Sequence, residues 1–189
     1  MALAKQRNPG EPERTFTGLA HLIASGPALA DHEALISQID ALAAEATDHG
    51  ALRRSVVELL AGTLQSGRAA AMAAFLKAPL AGLRCARALA HVTDCVVAAT
   101  VHLATQHLHP LSVRTKGEHL SIVAVGGYGR GEMAPFSDVD LLFLTPYKQT
   151  AWSESVIEST LYVLWDLKLK VGQSTRSIDD CLRLARDDI

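Results

Sequence analysis

Residues 126–142 read GGYGRGEMAPFSDVDLL, and this stretch decides which fold the chain can form. The chain leaves a β-branched apolar run, SIVAV at 121–125, through closely spaced glycines. It turns at Pro135 and sets Asp138 and Asp140 one residue apart at the start of a second apolar run, VDLLFL at 139–144. Each run has strand length and ends in a turn signal, Gly126-Gly127 or Thr145-Pro146, so the pattern predicts two buried strands joined by a glycine turn. Alternate residues of a strand share a face and lie roughly 6–7 Å apart along it. Asp138 and Asp140 would therefore present two carboxylates on one side, which is costly beside an apolar core unless something cationic compensates.

Outward from this stretch the periodicity changes. Downstream, Val156, Ile157, Leu161, Val163, Leu164 and Trp165 predict a helix over 151–167, followed by a weaker third strand over 168–174 and the start of a helix over 178–185. Upstream, residues 31–108 are rich in alanine and leucine with apolar residues three and four apart, Leu35, Ile36, Ile39 and Leu42 on one face and Leu52, Val56, Leu60 and Leu64 on another. Asp31 suits an N-cap, and Ser66-Gly67 and Pro79 suit breaks between helices. The expected fold class is α+β: an N-terminal α-helical bundle followed by an α/β core with a short mixed sheet. Residues 1–30 are expected to be a flexible segment, 31–118 the helical region and 119–189 the α/β core.

Two familiar phosphate-binding signatures fail on the glycines. A P-loop needs Lys followed by Ser or Thr at the end of the run, and a dinucleotide fingerprint needs a third glycine where this chain has Glu132. What remains is a strand ending in Gly126-Gly127, where absent side chains let backbone N–H groups approach an anion. Arg130 lies three residues on, and Ser137 supplies a hydroxyl beside the carboxylates. A glycine cluster after a strand is more often a plain turn, and the Asp-x-Asp pair is what tips the reading. Two carboxylates on one face can hold divalent cations, and two metal ions are a recurring device for displacement at phosphorus. Mg²⁺ takes a few carboxylates plus substrate phosphates, and such a cation is the compensation the aspartates require.

On these residues the sequence resembles the nucleotidyltransferase superfamily of the DNA polymerase β type, with Gly126, Gly127, Arg130, Gly131, Ser137, Asp138, Asp140 and Leu141 at its motif positions. More narrowly, VGGYGRGEMAPFSDVDLLFL followed by LYVLWDLKLKVGQSTRSIDDCLRLARDDI resembles the N-terminal part of the bifunctional PII uridylyltransferase/uridylyl-removing family. Over 1–118 the likeness is architectural only. The resemblance implies that a tyrosine hydroxyl of the PII signalling protein attacks the α-phosphorus of UTP and releases pyrophosphate. It implies that Gly126, Gly127 and Ser137 hold the triphosphate, with Arg130 contacting phosphate or locking the fold, and that Asp138 and Asp140 bind Mg²⁺ and are catalytic. It also implies a longer protein with an HD hydrolase domain and glutamine-sensing ACT domains, of which this chain would be a truncated piece. The chain carries Gln173 where the family has His. A third metal-binding carboxylate has no evident position: Asp179, Asp180, Asp187 and Asp188 qualify by charge only, and a place after Ile189 is the alternative. The motif alone leaves the base and the acceptor open, so adenylyl transfer, or a regulatory module that binds Mg-nucleotide without transfer, stays in view.

Composition narrows the rest. A formal net charge of −2 lacks the basic excess of a nucleic-acid footprint, and 49% apolar residues are enough for a core. Cys85, Cys95 and Cys181 form no CxxC pair, the first twelve residues lack a signal-peptide core, and apolar stretches are interrupted before membrane-span length. The expectation is a cytoplasmic protein with no membrane or nucleic-acid partner. His102, His107 and His109 lack helical i, i+4 spacing and an acidic partner, so no metal is expected there. Trp152, Trp165 and the cysteines are expected to pack, and Tyr128 to be a packing or rim residue rather than a catalyst.

Overall fold

The computed structural model describes residues 21–113, 115 and 117–187. Most of the segment expected to be flexible, residues 1–20, lies outside them, as does Asp188. From His21 onward the segment is packed: Leu22, Leu29 and Ala30 are buried, and α1 (Gly26–Leu29) lies among the longer helices.

Asp31 caps α2 (His32–Glu45) as expected, its carboxylate accepting from the Ala34 N–H at 3.1 Å, and Asp48 caps α3 (His49–Lys77) through the Ala51 N–H at 2.8 Å. The break expected at Ser66-Gly67 does not occur. Gly67 is inside α3 and serves packing, because a Cβ there would lie 2.5 Å from the Leu29 carbonyl oxygen and 2.8 Å from Val92 Cγ2. Alanine would improve helix propensity by roughly 1 kcal/mol, but a clash with backbone oxygen has no flexible side chain to absorb it. Gly67→Ala is therefore expected to destabilise the fold by about 1–3 kcal/mol, read as a loss of about 2–4 °C in Tm per kcal/mol in a thermal melt.

Pro79 does separate α3 from α4 (Gly82–His102), the central helix, on which Val92, Cys95, Val96 and Ala99 are fully buried. One expectation is corrected here. The helical run Gly82–Leu108 is long and apolar enough to cross a membrane by length and composition, yet most of it is buried by its neighbours, which is how a core helix satisfies the same measure.

At its end α4 widens into a π turn, Leu103–Leu108, closed by the His109 N–H donating to the Ala104 carbonyl at 2.9 Å. The turn brings His102 and His107 to Asp40 of α2. The expectation that these histidines lack an acidic partner is thereby corrected. His109 instead joins the bundle to the α/β core: its ring meets the Ser159 hydroxyl at 2.8 Å, and its carbonyl accepts from the Trp152 indole N–H at 2.9 Å.

The core runs β1 (Ser121–Ala124), α5 (Gly126–Gly129), β2 (Val139–Thr145), α6 (Ala151–Asp166), β3 (Val171–Ser177) and α7 (Ile178–Asp187), in the expected order. The sheet is mixed, with β2 central, antiparallel to β1 and parallel to β3. Val139, Leu141 and Phe143 are buried in one apolar core with Ile157, Leu161 and Leu164 of α6. The intervening Asp140, Leu142 and Leu144 are only half-buried, and β1 is an edge with Ser121 and Val123 exposed. Neither strand is buried on both faces as the apolar runs had implied. β3 begins three residues later than expected because Lys168, at φ 60°, ends α6 in a left-handed cap: its N–H bonds the Trp165 carbonyl and the Leu169 N–H bonds that of Leu164.

Candidate active site

The alternation along β2 places its aspartates. Val139 and Leu141 point into the core, so Asp140 falls on the opposite face and is half-buried, while Asp138, exposed, immediately precedes the strand. The desolvation that the sequence suggested is thus partial.

Asp140 organises what surrounds it. Its backbone carbonyl accepts from the Val125 N–H at 3.0 Å, which fixes where β1 gives way to the glycine turn. Its carboxylate sits between two glycines. A Cβ on Gly126 would lie 2.8 Å from Asp140 Oδ2, and one on Gly172, directly opposite on β3, would collide with Asp140 Oδ1. Gly126 also has φ 62°, a left-handed conformation that disfavours a side chain.

Arg130 and Ser137 hold the turns. Arg130 donates through Nη1 to the Gly126 carbonyl at 2.9 Å and through Nε to Glu132 Oε2 at 3.1 Å, while the Glu132 N–H returns to the Gly127 carbonyl at 2.9 Å. Both Arg130 contacts thus lie within the turn. Ser137 Oγ accepts from the Ala134 N–H at 2.8 Å and its own N–H donates to the Ala134 carbonyl at 3.1 Å, closing the Pro135-Phe136 turn just before Asp138. A hydroxyl that accepts in this way keeps a proton to donate.

Known proteins resemble the chain over these residues. Residues 110–188, which hold every element just described, match the nucleotidyltransferase domain family. The chain carries a nucleotidyltransferase domain. It is also similar to curated proteins named bifunctional uridylyltransferase/uridylyl-removing enzyme. The one from Ruegeria pomeroyi is 54% identical over 84% of this chain, that from Phenylobacterium zucineum 51% over 82%, and that from Cereibacter sphaeroides 45% over 100%. The chain spans only 17%, 16% and 20% of those relatives respectively. No solved structure matches it.

The nucleotidyltransferase domain is anchored to the bundle by a contact the sequence did not foretell. Tyr128, buried in α5 as expected of a packing residue, donates its hydroxyl to Asp94 Oδ1 of α4 at 2.7 Å. Burial, followed by the nearby Asp94 carboxylate, pushes the Tyr128 phenol far above its usual range. Burial also raises the Asp94 carboxyl, against the lowering effects of the Tyr128 bond and His91. Removing the donor with Tyr128→Phe is expected to cost about 1–3 kcal/mol, because Asp94 is left without it. The sign with pH follows from the raised Asp94 value. Its contribution to stability is complete below the ordinary carboxylate pKa and is lost as pH rises through the folded-state pKa. Urea melts of Asp94→Asn, which does not titrate, should accordingly gain on the parent protein as pH rises from about 4 to neutrality.

The acidic candidates for a third ligand are accounted for differently. Asp180 and Ser177 form a capping box on α7: the Ser177 hydroxyl donates to Asp180 Oδ2 at 2.7 Å and accepts from the Asp180 N–H at 3.1 Å, and these bonds hold the Asp180 carboxyl below its usual range. Asp179 and Asp187 are exposed on the same helix. The residue missed was Gly172. A lone glycine inside a strand signals close approach by another group, and VGQ at 171–173 carried that signal. Of the cysteines, Cys85 and Cys95 are buried, with burial chiefly lifting the Cys95 thiol to about 12, whereas Cys181 is half-buried on α7.

Proposed function

We propose that this chain is the nucleotidyl-transferring part of a uridylyltransferase that moves UMP from UTP to a tyrosine of the PII regulatory protein. The observation that supports the reading is Asp140 on β2, its carboxylate close against Gly126 and Gly172, with the exposed Asp138 just before the strand. Two carboxylates next to backbone N–H groups are a hard oxygen donor set, and the residues present fit Mg²⁺. When bound, Mg²⁺ supplies charge neutralisation and polarisation at the triphosphate. Asp138 and Asp140 would hold it, in the two-ion arrangement expected of this chemistry.

The chain's other residues bind and orient. Gly126 and Gly127 open a short turn whose first N–H groups have no acceptor within it and can meet phosphate oxygens. Ser137 has a proton to donate to the same anion. Arg130, engaged on the Gly126 carbonyl, keeps the turn in shape. In the reaction the tyrosine oxygen forms a bond to the α-phosphorus, the bond to the bridging oxygen breaks, pyrophosphate leaves, and the phenolic proton passes to solvent.

The uridylyl donor is supported by the relatives' names, and the PII acceptor by the motif likeness over 121–189 alone. The free thiols fit a cytoplasmic setting. The large remainder of the relatives leaves room for the uridylyl-removing HD domain and the ACT domains. Incubating the protein with PII, Mg²⁺ and UTP or ATP tests the reading by mass spectrometry. A gain of one uridylyl group on a PII tyrosine, from UTP in preference to ATP, is expected. Adenylyl transfer of equal or greater rate would replace the donor, and an unmodified PII beside another labelled acceptor would replace the partner.

A further inference from the structure

Outside the nucleotide site, three side chains from two helices converge on one point. His102 Nε2 and His107 Nε2 each lie 2.7 Å from the same oxygen, Asp40 Oδ1, and the two rings stand edge to face with centroids 5.4 Å apart. All three donor atoms lie within 4.8 Å of one another. A straight α-helix would set residues five apart roughly 140° around its axis, facing different ways. The i to i+5 closure of the π turn is what rotates His107 onto the side of His102, and such turns recur at functional sites.

We propose that Asp40, His102 and His107 form a binding site for a late first-row divalent cation, with Zn²⁺ as its best fit. Two imidazoles and one carboxylate, with room left for water, are a donor set that Zn²⁺ takes. The same set is poor for Mg²⁺, which prefers oxygen, so this site and the Asp138/Asp140 pair would sort different metals. Access is provided for: the Asp40 side chain is 51% exposed while each histidine is 21% exposed, giving a cluster walled on the protein side and open on the other. Zinc bonds of about 2.0–2.2 Å in a tetrahedral arrangement require donors about 3.3 Å apart. The present contacts need to open by only about 0.6 Å, within reach of side-chain torsions alone.

The site would clamp α2 to the end of α4. Just beyond it, His109 connects the π turn to Trp152 and Ser159 of α6. A metal here would therefore stiffen the joint between bundle and nucleotidyltransferase domain. The inference does not rest on the uridylyl reading.

The test is Zn²⁺ titration of EDTA-stripped, tag-free protein by calorimetry, with Co²⁺ absorption as a coordination probe and a thermal melt at each metal level. One Zn²⁺ per chain, a raised Tm and a Co²⁺ spectrum showing nitrogen ligation are expected, unaffected by excess Mg²⁺ and retained in Asp138→Asn/Asp140→Asn. His107→Gln should weaken binding by more than about tenfold, and Asp40→Asn should do the same. Far-UV circular dichroism matching the parent shows that a variant is folded, and His102→Gln replaces any variant that is not. Absence of stoichiometric Zn²⁺ binding by the parent protein, or undiminished binding by folded ligand variants, would overturn the proposal.

Discussion

Replacing Asp140 by asparagine is expected to lower nucleotidyl transfer about 1,000-fold while leaving the melting temperature within a degree or two. The rate follows from losing roughly 4 kcal/mol of charge stabilisation at the triphosphate, at 1.36 kcal/mol per tenfold. The stability follows from the structure. Asparagine has the shape of aspartate, so it fits between Gly126 and Gly172, and the backbone carbonyl that holds Val125 is unchanged. Asp138→Asn should behave alike, since Asp138 is exposed and, among the described residues, makes no contact that asparagine would lose on folding. Steady-state transfer assays paired with thermal melts check both halves. Near-normal turnover in either variant would remove that aspartate from the catalytic set.

Gly172→Ala should be the second most damaging change, although glycine offers no chemistry of its own. The new Cβ would collide with Asp140 Oδ1, and two outcomes compete: the carboxylate swings away, or β3 separates from β2. Parallel pairing over seven residue pairs, from Val139 opposite Val171 to Thr145 opposite Ser177, resists separation, so the carboxylate is the part that moves. A displacement of about 1 Å at a catalytic group costs on the order of 100-fold. The expected signature is a fall in kcat of that size with a stability loss of about 1–3 kcal/mol. Gly126→Ala should match it in rate and exceed it in instability, because its left-handed backbone adds strain to the contact with Oδ2. A Gly172→Ala enzyme with unchanged kcat would show that the present position of the Asp140 carboxylate does not limit the reaction.

Local chemistry was legible in the sequence and long-range geometry was not. The Asp31 cap, the glycine turn and the order of elements after residue 120 all follow from residues a few positions apart. Gly67 was misread because a glycine after a serine suggests a break, and only the distant Leu29 and Val92 show that the helix needs the space. His102 and His107 were read as unpartnered on an α-helical period, but their partner is Asp40, more than sixty residues away, reached through a π turn that no sequence period announces. The start of β3 was displaced because Lys168 adopts a cap conformation usually given to glycine. The Tyr128–Asp94 bond, between residues thirty-four apart, was hidden for the same reason of distance.

The deciding measurement is a thermal-shift titration of this chain with UTP, with and without Mg²⁺, in the parent protein and in Asp138→Asn/Asp140→Asn. At a ligand concentration of about 100 times Kd the stabilisation is about 2.7 kcal/mol, a rise in Tm of roughly 5–11 °C. That rise should require Mg²⁺ and should vanish in the double variant. A UTP shift that survives without Mg²⁺ or in the double variant, or none at saturating UTP, would contradict an Asp138/Asp140 nucleotide site.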